Sequence, residues 1–291
     1  MKVYWLIFLF LTSGLEASEV FDKLASLNGL STHQKIYYWT EQFLGLPYGK
    51  GGPLGEGKKG QFDQDPLYRF DTFDCTTFVE TVTALSLSSN KSEFENHLLE
   101  LRYKNAKISY TSRKHITSQS WIPENTNNGY YLESTPDFPV KFQDVASAQI
   151  DLPSWYKAHN LSRLRLPELS NRKKRKRVKQ LQSLGENFDI ENVELPYLVI
   201  KDLLNDWEGF QENLNGVYII NIVRPNWNMK YKVGTNLLVS HQGFLLKKNG
   251  VPTMIHASTT GEVVEVSLKK YLGWFKNSSS VKGINLLQVI Q

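Results

Sequence analysis

The only cysteine of this 291-residue chain sits in Phe73-Asp74-Cys75-Thr76-Thr77-Phe78-Val79-Glu80. Two histidines follow late in the chain, in Ser240-His241-Gln242-Gly243-Phe244 and Ile255-His256-Ala257-Ser258. A lone thiol with distant histidines is the pattern of a cysteine nucleophile whose base arrives from elsewhere in the fold. Asp74 is a good N-cap for a helix running to about Leu87, with Phe78, Val82 and Leu85 at helical spacing. Cys75 then stands in the first turn. There the helix dipole and unpaired backbone N–H groups favour thiolate and can hold an oxyanion. A charged Asp74 opposes that shift, so an imidazolium partner would help.

Turn chemistry places the histidines. Asn249-Gly250 between two apolar runs is a two-residue hairpin signal. Lys248 then faces Val251, Gly243 faces His256, and His241 lies diagonal to His256 on the same sheet face. One imidazole could take the thiol proton while the other fixes its tautomer. Two other arrangements remain open on the residues alone: a Cys-His-His zinc site with Cys75 as third ligand, or two satisfied structural histidines.

The elements that must carry these residues divide into helices first and strands after. Ser31-x-x-Gln34 is a capping box opening a helix through about Leu44. Residues 45–60 read as a long Gly- and Lys-rich loop, and Lys91 to Tyr103 as a third helix. Val217–Val223, Leu237–Leu246, Thr253–Ala257, Val263–Val266 and Ile284–Ile290 read as strands. An α+β fold is expected, with N-terminal helices packed on a C-terminal antiparallel sheet. Residues 109–193 read as irregular and insertion-rich, with turns around Trp121 to Gly129 and a strand within Phe138–Ile150. The run from Arg172 to Lys179 reads as a solvated helix face or exposed insert, with contact to a wall polymer or a membrane surface as the alternative.

Lys2 followed by the apolar run Val3–Leu11 predicts an export signal over residues 1–18, with an uncleaved anchor as the alternative, and a single elaborated domain over 19–291. The expected location is periplasmic or extracellular. No other stretch reaches transmembrane length, so no membrane insertion is expected after signal removal. The net charge of +5 suits an anionic partner such as a cell-wall polymer, and a nuclear signal makes no sense behind an export signal. His33, His97 and His159 read as exposed or helix-face residues without a role.

Leu46-Pro47-Tyr48-Gly49-Lys50-Gly51-Gly52, Asp74-Cys75-Thr76, His241-Gln242-Gly243-Phe244 and Ile255-His256-Ala257-Ser258 occur in the order seen in NlpC-type cell-wall cysteine hydrolases, which the chain resembles. The likeness is closest to the N-acetylmuramoyl-L-alanine amidase-like subfamily. It rests on Asp-Cys-Thr-Thr-Phe-Val-Glu, Ser112-Arg113-Lys114-His115 followed by Trp121, and Ser-His-x-Gly. The resemblance implies a papain-like fold and a cysteine amidase with no cofactor and no metal. Cys75 would be the nucleophile, His241 the base and His256 its orienter. Tyr48, Asp74, Thr76, Arg113, His115 and Ser240 would contact substrate. The implied partners are peptidoglycan fragments or muropeptides and no nucleic acid, with the enzyme acting as a monomer. The implied bond joins N-acetylmuramic acid to L-alanine. Cleavage within the peptide stem next to D-glutamate, acyl transfer to another amine, and a non-catalytic wall-binding module are the rival expectations.

Overall fold

The structure, a computed structural model, describes residues 16–50 and 52–290, except for the side chain of Asn226. The apolar run expected to act as an export signal lies outside the described residues. Among the described residues, no helix is long and apolar enough to cross a membrane.

Among the described residues, eleven α-helices and eight strands form a mixed α+β fold. The chain opens with α1 (Ala17–Ser26), α2 (Thr32–Gln42), α3 (Cys75–Leu87) and α4 (Lys91–Arg102). The caps read in the sequence start these helices. Ser31 and Gln34 bond each other's backbone N–H at the head of α2, and Asp74 and Thr77 do so at the head of α3. A short α5 (Ile122–Asn127) leads to β1 (Tyr131–Glu133) and β2 (Gln143–Asp151). Next come α6 (Leu152–Lys157), α7 (Asn171–Gly185), β3 (Ile190–Val199), α8 (Ile200–Asn205) and α9 (Trp207–Gln211). The last part holds β4 (Tyr218–Trp227), α10 (Lys230–Val233), β5 (Leu237–Lys248), β6 (Val251–Ala257), β7 (Val263–Ser267), α11 (Leu268–Gly273) and β8 (Gly283–Val289).

All strands join one antiparallel sheet in the order β2-β3-β8-β4-β5-β6-β7, with β1 pairing β8. The expected order of helices followed by a C-terminal sheet needs correction here. β2 and β3 come from the middle of the chain, and β3 bonds the last strand. Residues 109–193 are therefore built mostly of regular elements, and Trp121 to Gly129 contains a helix rather than turns alone. Pro123 sits in the first turn of α5, where its missing N–H costs nothing. The expected strand near Phe138–Ile150 is β2, which starts later.

The sheet is covered on both faces. Phe244, Leu246, Ile255 and Leu287 pack toward α2, α3 and α4. Leu245, Met254, Ile284 and Leu286 pack toward α8 and α11. Successive residues therefore enter opposite cores, which is why these strands read as near-continuous apolar runs. A third cluster, including Ile150, Trp155, Tyr156 and Leu181, fastens α6 and α7 to the end of β2.

Candidate active site

Cys75 is the first residue of α3, and Phe73 before it is fully buried. Pro47 to Gly49 runs beside this turn. Phe73 N–H donates to the Pro47 carbonyl at 3.1 Å, Gly49 N–H to the Phe73 carbonyl at 2.8 Å, and Tyr48 N–H to the Gly261 carbonyl at 2.7 Å. Tyr48 is thus clamped between the α3 entry and the β6–β7 turn. Burial, with the charges of Cys75 and Asp74 adding to it, pushes its phenol up to about 12.

The Asn249-Gly250 hairpin forms as its residues predict. Asn249 and Gly250 have φ of 50° and 81°, and Lys248 pairs with Val251. β5 carries an irregularity against β4: Ile222 pairs with His241 but Val223 pairs with Val239. Ser240 is the extra residue, and its hydroxyl donates to the Ile222 carbonyl at 3.3 Å. Such a bulge re-aims the neighbouring side chain, here His241. Its Nε2 lies 2.7 Å from Nδ1 of His256, and the ring planes are near perpendicular. Gly243 permits this approach, because a Cβ there would meet His256 Cβ at 2.8 Å.

Cys75, Thr76, His115, Ser240 and His241 line one cavity of about 300 Å³. On one side it continues, through Thr76, His115, Trp155 and Arg163, into a charged cavity of about 400 Å³ that also contains Asp74 and Arg113. On the other side it continues, through Trp227, Ser240 and His241, into a cavity of about 540 Å³ walled by Tyr271 and Trp274. The result is one long cleft, polar at one end and aromatic at the other. All nine sequence-selected residues except Tyr48 and His256 line its first two parts. His256 lines the aromatic part, and Tyr48 is coupled electrostatically to Cys75 and Asp74.

Electrostatics correct one expectation. The helix start was expected to draw the thiol pKa toward neutrality. Instead burial, and then the Asp74 charge, push Cys75 up to about 12. Desolvation is the larger cause, and the cap adds to it: Asp74 takes the Thr77 N–H at 2.8 Å and sets a negative charge beside the sulfur. The backbone N–H of Gln242 and the Thr76 side chain oppose this by bonding sulfur. Burial holds both imidazoles neutral, His241 down to about 3 with His256 contributing, and His256 down to about 4. Among the described residues, no cluster of three or more His, Cys, Asp or Glu side chains is arranged to hold a metal ion.

Arg113 and His115 reach the cleft from the middle segment. Arg113 donates to the Leu54 carbonyl at 2.7 Å and lies 3.7 Å from Asp63. His115 Nε2 donates to the Tyr110 carbonyl at 2.8 Å, and its ring packs 4.8 Å from Trp155. Burial and the Arg113 charge keep it neutral.

Several residues at the site escaped sequence reasoning. Gln242 is fixed from both sides: its Oε1 accepts from Thr76 at 2.7 Å and its Nε2 donates to Asn221 at 2.9 Å. Asn221 donates onward to Asn285, which donates to Glu133 at 2.7 Å. A buried polar rail thus crosses β5, β4 and β8 and ends at the cysteine helix. Asn221 and Asn285 interrupt apolar runs, and that is the signal that could have found them. His159, read as exposed, is buried: its Nε2 meets the Tyr110 hydroxyl and its Nδ1 the Trp155 carbonyl, each at 2.9 Å.

Fold and site together define an α+β protein in which a cysteine and a hydrogen-bonded histidine pair share one cleft. The chain belongs to the AmiA-like family, described as N-acetylmuramoyl-L-alanine amidase-like, which matches residues 38–281. Protein LPG0564 from Legionella pneumophila str. Philadelphia 1 is a solved structure with 32% identity, 94% coverage of both chains and a TM-score of 0.90. An N-acetylmuramoyl-L-alanine amidase from Bacteroides uniformis ATCC 8492 shares 24% identity at a TM-score of 0.61, covering 89% of this chain and 99% of its own. No curated protein matches the chain.

Proposed function

We propose that the protein is an exported, papain-like cysteine amidase of the NlpC type that cleaves the bond between N-acetylmuramic acid and L-alanine in muropeptides. The observation that carries the reading is the meeting of Cys75 with the His241–His256 pair in one cleft. Membership of an amidase-like family supports the substrate class.

His241 donates its Nε2–H to Nδ1 of His256, which leaves its own Nδ1 as the base for the thiol. Neither Cys75 nor His241 ionises alone. A proton passed between them creates both charges at once, and their attraction across the buried cleft offsets part of the desolvation that keeps each neutral. The sulfur attacks the lactyl carbonyl of the muramic acid. The oxyanion is met by the N–H groups at the head of α3 and by the Tyr48 hydroxyl, which stays protonated. The imidazolium then protonates the departing L-alanine nitrogen. Water, deprotonated by His241, releases the thioester.

Arg113 in the charged end pairs with a carboxylate of the peptide stem, and Asp74, Thr76, His115 and Ser240 line the path of the scissile bond. The rings at the other end offer faces to the sugar. Mass spectrometry of digests of defined muropeptides tests the reading. Free muramic acid saccharide and an intact stem peptide are expected. Products cut next to D-glutamate would make it a stem peptidase, and no cleavage a binder. Cys75→Ala should abolish turnover. His241→Asn should lose 10²-fold or more in kcat/KM, whereas His256→Asn keeps measurable activity. The reverse order for the two histidines would exchange their roles.

A further inference from the structure

Helix α7 carries seven Lys and Arg residues between positions 172 and 179 and no acid. Its charge exceeds the +5 of the whole chain. At about 100° per residue, Arg172, Arg175, Lys176 and Lys179 fall within an arc of about 100°, roughly 10 Å long. All four are exposed. The far side is the one that packs: Leu181 is fully buried, and Gly185 sits against Tyr156 with no room for a Cβ. None of the seven cations forms an ion pair among the described residues. Beside the stripe lies a concavity of about 620 Å³ lined by Leu169, Lys173, Lys176, Arg177 and Gln180.

An isolated helix with this much like charge repels itself. Here tertiary packing on α6 holds it, and the cations remain as a positive ridge without ion-pair partners among the described residues. We propose that α7 is a docking surface for an anionic lipid bilayer. Four cations along one convex ridge meet a plane of phosphate headgroups together, and the flanking concavity accepts one headgroup among its three cations. The helix has no aromatic side chain on which a nucleic-acid base could stack. Val178 and Leu181 face the protein's own core, and Leu184, its one exposed apolar residue, lies away from the cationic stripe, so contact is peripheral and electrostatic, without insertion. α7 packs against α6, whose Trp155 walls the cleft, so docking would hold the cleft beside the membrane surface. The inference does not depend on which bond the cleft cuts.

Co-sedimentation with vesicles tests it. The purified chain should bind phosphatidylglycerol–phosphatidylcholine vesicles at low salt, and binding should fall roughly tenfold or more as ionic strength shortens the screening length. The fourfold variant Arg172→Glu, Arg175→Glu, Lys176→Glu, Lys179→Glu should lose that binding while keeping its thermal unfolding midpoint and its turnover of muropeptides. A control of equal net charge, Lys23→Glu, Lys58→Glu, Lys107→Glu, Lys201→Glu, reverses exposed lysines on other segments and should still bind. Equal loss in both variants would reduce the effect to net charge and overturn the proposal. So would equal binding of the native chain to pure phosphatidylcholine, which the apolar N-terminal run alone would produce. Binding to soluble polyphosphate without vesicle binding would assign the ridge to a polymer instead. If the α7 variant fails to fold, high-salt release from vesicles and competition by polyphosphate on the native chain decide between the same outcomes.

Discussion

Cys75 is a half-buried thiol whose surroundings favour the neutral form over a resting thiolate. Its neighbours divide cleanly: burial and Asp74 push the pKa up, while the Gln242 N–H and Thr76 pull it down. The sign sets a test. Alkylation by iodoacetamide needs thiolate, so its rate should climb about tenfold per pH unit from about pH 6 to beyond about pH 9. A rate already level below about pH 7 would mean a preformed thiolate–imidazolium pair. His241, the proposed base, is neutral throughout this window, because burial lowers its pKa to about 3. Gln242 shows how residue identity matters beyond the reacting atoms. Its side chain is held between Thr76 and Asn221, while its backbone N–H bonds the sulfur.

At the scale of elements, α3 must present its first residue in a fixed place, and a buried ion pair holds it. Glu80 Oε2 accepts from Arg102 Nε of α4 at 2.7 Å, and its Oε1 accepts from Trp121 Nε1 at 3.1 Å. Arg102 also donates to the Leu67 carbonyl. The last residue of the Asp-Cys-Thr-Thr-Phe-Val-Glu motif is therefore a strut joining α3, α4 and the segment before α5. Removing one partner of a buried pair strands the other charge. Glu80→Ala should cost about 3–5 kcal/mol of stability, read from chemical denaturation. A loss under about 1 kcal/mol would show that the strut does not hold the helix. The hairpin is a second such device. The Ser240 bulge and the bare face of Gly243 together bring His241 and His256 into contact.

The whole molecule depends on its final strand. β8 lies inside the sheet between β3 and β4, also pairs β1, and supplies Ile284, Leu286 and Leu287 to cores on both faces. A chain ending at Val281 would expose both cores, cut the sheet between β3 and β4, and leave β1 without a partner. It should show no cooperative thermal transition by calorimetry. A native-like transition in that truncation would mean that the sheet is stable without its centre. The same topology explains why the middle segment cannot be a detachable insert: β3 needs β8, and Arg113, His115 and Trp155 wall the cleft.

Local chemistry was enough to reveal much of this. Caps at Ser31 and Asp74, the Asn249-Gly250 turn and the period of the apolar residues depend on near neighbours, so α2, α3 and the hairpin were legible, and with them the nearness of His241 to His256. β3, the burial of His159, the Asn221–Asn285 rail and the partner of Glu80 were not. Each depends on contacts between residues far apart in the chain. The thiol's environment failed for the same reason. The dipole of a helix start is a local property, but desolvation is set by everything packed around the sulfur, and here it wins. Residue types and spacing singled out Cys75, His241 and His256; only the tertiary structure decided which long-range partners surround them, because burial and non-local hydrogen bonding exist only once the sheet has closed over both cores.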